Sequence, residues 1–152
     1  MKMTCFLVLL MISVSGAYAQ NTQPTERQRK NITRLIDEYV QVRESKDTVL
    51  LKKILTADID QLVSTGEWRM GIGAAVEGMM KSSAGNPGNR TLAVDKVRLV
   101  TPACAIVDCR YEIAVANGNP RKMWSSFIVV MDKGVWKISA IRNMLPAGNQ
   151  RK

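Results

Sequence analysis

The stretch Gly134–Pro146, GVWKISAIRNMLP, decides the fold class because it alternates like a β-strand and closes a second half of the chain that is rich in strands. Alternation places Trp136 and Arg142 on the same face. Apolar side chains should face the helices, so we expect both to point into the interior, with Arg142 near an open end. An arginine there can bind a carboxylate or phosphate bidentately. The alternatives are an ion pair with Asp60 or Glu77, or exposure at the strand end.

Three further strands precede this stretch. A two-residue period predicts them at about 91–100, 104–115 and 122–131. Turn signals separate the strands, among them Asn117-Gly118-Asn119-Pro120. The pattern therefore predicts that the second half of the chain forms consecutive antiparallel strands.

The first half of the chain has a helical period instead. It predicts helices at about 25–44, from Asp47 onwards and at 71–83, with a short strand at 59–63 before the last of them. Thr25 opens the first helix with the spacing of a capping box. Helices followed by antiparallel strands form the α+β pattern, with the helices on one face of one sheet.

The N-terminus has the three regions of a secretory signal peptide. Lys2 gives a positive charge, an apolar run follows from Cys5 to Val14, and Ala17-Tyr18-Ala19 has the form that signal peptidase cleaves. The run is shorter than the roughly 20 apolar residues that cross a bilayer, so we expect no transmembrane segment. We expect cleavage near Ala19 and export to the periplasm or the medium. The chain then divides into a signal peptide (1–19), a polar leader (20–27), one domain (28–146) and a C-terminal tail (147–152).

Composition excludes several classes of site. The chain has no histidine, which excludes Ser-His and Cys-His nucleophile pairs and most zinc sites. We expect no metal and no cofactor. The formal charge is +9, but the cations are spread along the chain without a nucleic-acid-binding motif, so we expect no nucleic-acid partner. Binding of an acidic polymer through this charge stays open as a minor alternative.

Two cysteines follow the signal peptide, Cys104 and Cys109, five residues apart in one predicted strand. They should point to opposite faces, roughly 16 Å apart at about 3.3 Å per residue. A disulfide needs Cα atoms within about 7 Å, so we expect two buried free thiols. Cys109 shares its face with Tyr111, and we expect both to face a pocket.

The strand at 122–131 is apolar on both of its faces. A sheet with one solvated face should not contain such a strand. No remaining segment is long enough to cover it, so we expect a homodimer through the outer sheet face. That face would carry Trp124, Ile128 and Val130.

Four segments stand at characteristic places in this order of elements: Ala57-Asp58-Ile59-Asp60, the turn around Gly66, the helix start Gly71–Val76 and the closing Gly134–Asn143. With them, the chain resembles the nuclear transport factor 2-like superfamily, and within it the SnoaL-like, SgcJ/EcaC-type domains. The resemblance covers about residues 28–146 and implies a cystatin-like cone, in which three N-terminal helices pack on a curved antiparallel sheet and leave a pocket at the open end. This superfamily contains isomerases, dehydratases, epoxide hydrolases, cyclases and non-catalytic binding modules, and it commonly forms homodimers.

Two functions follow from this resemblance. The first is a non-catalytic domain that binds a small, partly apolar ligand in its cone. The second is a cofactor-independent enzyme of the isomerase, hydratase or cyclase type, which would need Tyr39, Asp60 and Arg142 to converge on one cavity. Tyr39 and Asp47 have the spacing found in ketosteroid isomerases, but the carboxylates of that mechanism have no counterpart here. The residues expected to line the ligand pocket are Tyr39, Trp68, Cys109, Tyr111, Trp136 and Arg142.

Overall fold

The computed structural model describes residues 23–85, 89–115 and 118–146. The predicted signal peptide, its cleavage site and the C-terminal tail lie outside these ranges. Among the helices described, none is long and apolar enough to cross a membrane. The elements are α1 (Glu26–Glu44), α2 (Thr48–Ile54), β1 (Leu55–Leu62), β2 (Trp68–Met70), α3 (Gly71–Gly85), β3 (Arg90–Thr101), β4 (Cys104–Ile113), β5 (Arg121–Asp132) and β6 (Val135–Met144).

Helix α1 begins at a capping box. The Thr25 hydroxyl accepts a hydrogen bond from the backbone N–H of Gln28, whose side chain accepts one from the backbone N–H of Thr25 at 2.9 Å. This confirms the predicted helix start. The buried face of α1 includes Tyr39 and, four residues later, Arg43, which is only 5% exposed. Residues four apart lie on one helix face, so the apolar stripe carries this arginine into the interior.

The six strands form one curved sheet in the order β2-β1-β6-β5-β4-β3. Strands β3 to β6 pair antiparallel with their neighbours, and β1 pairs antiparallel with β2. Strand β1 pairs parallel with β6, however, so the prediction of a wholly antiparallel sheet is wrong. Hairpin turns force antiparallel pairing only between strands that follow each other directly, and β1 and β6 are far apart in the sequence although they are neighbours in the sheet. The short strand β2 lies between β1 and α3, where the sequence pattern predicts no element.

The inner face of the sheet packs on the helices. In β4 the inward residues are Val107, Cys109, Tyr111 and Ile113, as the alternation predicts. The Phe127 ring meets the Tyr39 ring edge-on, with centroids 5.4 Å apart. Such aromatic pairs contribute about 0.5–1.5 kcal/mol beyond the area they bury. This contact fixes α1 against the middle of the sheet.

A bulge in β6 reverses the faces of its last residues. The pairing of β5 with β6 shifts at Ser139, where β6 accommodates one extra residue. Beyond it, Arg142 pairs with Ser126 on the outer face, and Asn143 pairs with Ser125 on the inner face. A shift of one residue turns every following side chain to the other face. The prediction that Arg142 points into the interior is therefore wrong.

Candidate functional site

A cavity of about 370 Å³ lies at one end of the cone. Its walls come from the last turn of α1, from α3, from the β1–β2 turn, and from the adjoining ends of β4, β5 and β6. This volume falls within the range of about 300–1,000 Å³ that is typical of small-molecule sites. The domain thus has room for a small ligand where its helices and strands end together.

The described lining of this cavity is strongly basic. It contains Arg43, Arg69, Lys81 and Arg121, with Glu67 as the acidic residue. The Glu67 carboxylate already accepts a hydrogen bond from Arg69 Nε at 2.9 Å, and this bond lowers its pKa. Because that charge is balanced within the wall, the remaining cations give the cavity a positive potential that favours an anion.

Arg43 is the most buried of these cations. Its Nη1 donates to the Tyr39 hydroxyl at 3.2 Å, and its Nη2 donates to the Met79 carbonyl and the Ser83 hydroxyl, each at 3.5 Å. Its Nε has no hydrogen-bond partner within the described residues. The ion pairs among those residues do not include Arg43. A buried charge without a counterion costs several kcal/mol, so this guanidinium is poorly compensated.

Arg69 reaches the cavity by crossing the surface of α3. A Cβ atom placed on Gly78 would lie 2.3 Å from Arg69 Nε, so the side chain fits only because this position is glycine. Arg69 Nη1 donates to the Gln61 side chain at 3.4 Å, and the Arg69 side chain is 10% exposed. The glycine therefore positions a second guanidinium in the wall.

The strand side of the cavity is apolar. Tyr111, Ile113 and Met123 form a small cluster separate from the main core, and all three line the cavity. Next to them Asn143 accepts a hydrogen bond from the Ser125 hydroxyl. The cavity thus presents cations on its helical side and an apolar surface on its sheet side.

Tyr111 is the predicted ligand-binding residue that lines this cavity. Tyr39 does not line the cavity but is buried behind its wall. Together with Arg43 and Tyr111, Tyr39 borders a separate void of about 10 Å³. Burial raises the pKa of the Tyr39 phenol, although the nearby Arg43 charge opposes the shift. Tyr39 therefore supports the cavity wall through its hydrogen bond to Arg43.

Cys109 and Trp136 lie away from the cavity. Cys109 is enclosed in the main core, where burial raises the pKa of its thiol to about 12. Trp136 borders a groove of about 160 Å³ beside the first half of α1. It is seven residues from Asn143, roughly 23 Å along the strand at about 3.3 Å per residue. The prediction that both face the pocket is wrong, since facing inward does not determine which end of the strand a residue occupies.

Arg142, Asp60 and Trp68 form a cluster on the outer face of the sheet. Arg142 binds both carboxylate oxygens of Asp60, at 2.8 and 3.0 Å. Its guanidinium also lies 4.8 Å from the centroid of the Trp68 ring, which is 52% exposed. The structure thus shows the ion pair that is the alternative interpretation of Arg142. The predicted catalytic set does not converge, because Tyr39 lies on the opposite face from the other two residues.

Sequence reasoning missed Arg43, Arg69, Lys81, Arg121 and Asn143. For Arg43 a signal was present, since it lies four residues after Tyr39 in the apolar stripe of α1. For Asn143 the sequence gives no such indication, because plain alternation from Trp136 places Asn143 on the outer face and only the bulge turns it inward. Among the residues described there is also no group of three or more cysteine, aspartate or glutamate side chains placed to hold a metal ion.

The two cysteines are free and lie on opposite faces of β4, as predicted. Cys109 is buried, but Cys104 is only half-buried, so the prediction of two buried thiols is wrong for Cys104. Cys104 belongs to the alternate set of β4 residues that are less buried than the inward set.

No protein-family model and no curated protein matches the chain. Solved structures do match it. A domain of unknown function with a cystatin-like fold from Nostoc punctiforme has a TM-score of 0.71 at 14% identity, covering 84% of this chain and 83% of the other. An NTF2-like protein from Novosphingobium aromaticivorans has a TM-score of 0.67 at 18% identity, covering 80% and 84%.

A third structure, Aln2 from a Streptomyces species, has a TM-score of 0.64 at 11% identity and covers 80% of this chain and 93% of its own. At such identities the likeness concerns the fold. It confirms the α+β architecture of three helices and a curved six-stranded sheet. The chain therefore shares the cystatin-like, NTF2-like fold of these solved structures.

Proposed function

We propose that this chain is an exported SnoaL-like domain that binds a small, partly apolar ligand in its cone cavity and does not catalyse a reaction. The observation that carries the proposal is the cavity itself, about 370 Å³ in volume and built from both layers of the fold. Its sheet side is apolar and its helical side is polar, which is the usual composition of a site that orients a small molecule.

The enzyme alternative loses its candidate residues in this structure. A general acid and base must lie within hydrogen-bond reach of a shared reacting atom. Asp60 and Arg142 instead bind each other on the outer face, and Tyr39 bonds to Arg43 in the interior. A cofactor-independent isomerase, hydratase or cyclase would therefore need a different set of residues.

The proposal includes export and a homodimer. Export rests on the three signal-peptide regions of the sequence, and sequencing the N-terminus of secreted protein should give Gln20 as the first residue. The dimer rests on the outer sheet face, where Trp124 is 43% exposed and Ile128 and Val130 are half-buried. Exposed apolar area of this kind marks interaction surfaces.

The test is native mass spectrometry of the protein purified from the organism that encodes it. We expect an additional mass that denaturation removes. Gly85 lines the cavity, and a Cβ atom added there meets nothing within 4 Å, so we expect Gly85→Leu to fill part of the cavity and the retained mass to disappear.

The matched control is Gly73→Leu, on the same helix but outside the cavity lining, where an added Cβ atom meets nothing within 4 Å. It should retain the ligand. Wild-type protein without any bound mass, or Gly85→Leu protein that keeps it, would contradict the proposal.

A further inference from the structure

We propose that the cavity selects ligands in which an oxyanion, a carboxylate or a phosphate monoester, is attached to a small apolar body, and that Arg43 binds the oxyanion. This inference rests on the proposed function, because it names the chemical class of the ligand for the same cavity. It adds a charge requirement that the volume of the cavity does not impose.

The first argument is the electrostatics of Arg43. The guanidinium is buried, and its partners are the Tyr39 and Tyr111 phenols, a backbone carbonyl and a serine hydroxyl, all of them neutral. Buried arginines are ordinarily paired with a carboxylate. The nearest acid in the cavity wall, Glu67, is already bound to Arg69. An anionic ligand would supply the missing countercharge.

The second argument is the geometry of the guanidinium. Nε has no partner within the described residues, and both contacts of Nη2 are at the 3.5 Å limit for a hydrogen bond. Nε and Nη2 form one edge of the planar group, so this edge is the least satisfied part of Arg43. Carboxylate and phosphate oxygens accept two parallel hydrogen bonds from such an edge. Nε has no exposed surface of its own, so an oxyanion reaches this edge by displacing the Ser83 hydroxyl from its long contact with Nη2.

The third argument is the position of the apolar wall. Tyr111 shares a void with Arg43, and it continues into the apolar cluster with Ile113 and Met123. A ligand whose head group reaches Arg43 therefore places its body against this wall. Arg121, which donates to the Ser64 hydroxyl at 3.0 Å, and Lys81 add positive charge around the same volume.

The test compares three probes of similar size by isothermal titration calorimetry at physiological salt. They are 4-phenylbutyrate, 3-phenylpropyl phosphate and the neutral 4-phenylbutanamide. We expect at least one oxyanion probe to bind tenfold to a hundredfold more tightly than the amide, which is the range that hydrogen bonds to a charged group support. The stronger of the two oxyanion probes identifies the head group.

Variants assign the effect to Arg43. Arg43→Leu should remove the preference for the oxyanion. Arg43→Lys should retain part of this preference, because lysine keeps the positive charge but cannot donate two parallel hydrogen bonds. Arg98→Gln removes an exposed cation of β3 outside the cavity lining and should change nothing. If the Arg43 variants do not fold, the double variant Lys81→Gln/Arg121→Gln should weaken the oxyanion probes several-fold and leave the amide unaffected.

The outcomes separate this inference from the proposed function. Equal affinity for amide and oxyanions would overturn the oxyanion requirement and leave a ligand-binding cavity. Unchanged oxyanion affinity in a folded Arg43→Leu protein would overturn the role of Arg43. Failure of all three probes, together with no retained mass in the native protein, would overturn both proposals.

Discussion

The close contact between Arg69 and Gly78 gives a prediction that couples stability to the cavity. In Gly78→Ala the added methyl group would lie 2.3–2.5 Å from the Nε, Cδ and Cζ atoms of Arg69, so the arginine must leave its place. The comparison variant is Gly73→Ala in the same helix, where a methyl group meets nothing within 4 Å. The two substitutions share their chemistry and differ in this contact.

The expected magnitudes follow from the interactions lost. Replacing glycine by alanine stabilises a helix interior by about 0.5–1 kcal/mol. In Gly78→Ala this gain is opposed by loss of the hydrogen bond from Arg69 to Gln61, about 0.5–1.5 kcal/mol, and by loss of the solvent-screened ion pair with the exposed Glu67 carboxylate. We expect Gly73→Ala to raise the free energy of unfolding by about 0.5 kcal/mol. Gly78→Ala should be about 1 kcal/mol less stable than Gly73→Ala.

Urea unfolding followed by circular dichroism measures this difference, and calorimetry should show melting temperatures about 4 °C apart for a domain of this size. Titration with the better oxyanion probe provides the second readout, in which only Gly78→Ala should bind more weakly. Equal stabilisation by the two substitutions, with equal affinity for the probe, would show that Arg69 does not pack over Gly78.

Three further predictions concern the other features of the fold. Burial raises the pKa of the Cys109 thiol to about 12, against an ordinary value of 9.0, so its contribution to stability is complete below pH 9 and is lost as the pH rises from 9 towards 12. The free energy of unfolding measured with urea should therefore fall more over this interval for wild type than for Cys109→Ala. Equal pH dependence of the two proteins would contradict the burial of the thiol. Asp60→Asn breaks the ion pair with Arg142, and we expect a loss of up to about 1 kcal/mol in the free energy of unfolding. The affinity for the oxyanion probe should not change, and a large fall in that affinity would show that Asp60 and Arg142 take part in ligand binding. Trp124→Lys should convert the dimer to a monomer, as measured by light scattering. The control Val49→Lys, at an apolar residue of α2 that is 66% exposed, should leave the dimer intact. Wild-type protein that is monomeric at micromolar concentration would refute the dimer.

The sequence predicts the elements of this fold well because hydrophobic period and turn chemistry are local signals. The capping box at Thr25 and the inward set of β4 are read directly from residue spacing. The parallel pairing of β1 with β6 has no such signal, because it joins segments distant in the chain. Tertiary packing determines it.

The site is less predictable for two physical reasons. One extra residue at Ser139 exchanges the faces of Arg142 and Asn143, and nothing in the composition of β6 marks a bulge. Strand alternation also gives the face of a residue without its distance from the cavity, which is why the prediction for Trp136 is wrong. Arg43 could have been predicted from the sequence, since its position four residues after Tyr39 places it on the helix face that packs against the sheet.

The central claim concerns which arginine meets the ligand, and side-chain NMR tests it directly. The Nε–H resonances of Arg43 and Arg142 can be assigned in ¹⁵N-labelled protein from the spectra of single Arg→Lys variants. On titration with 4-phenylbutyrate or 3-phenylpropyl phosphate, the Arg43 resonance should shift and saturate with the calorimetric affinity, while that of Arg142 stays in place. A shift at Arg142 with none at Arg43 would contradict the account.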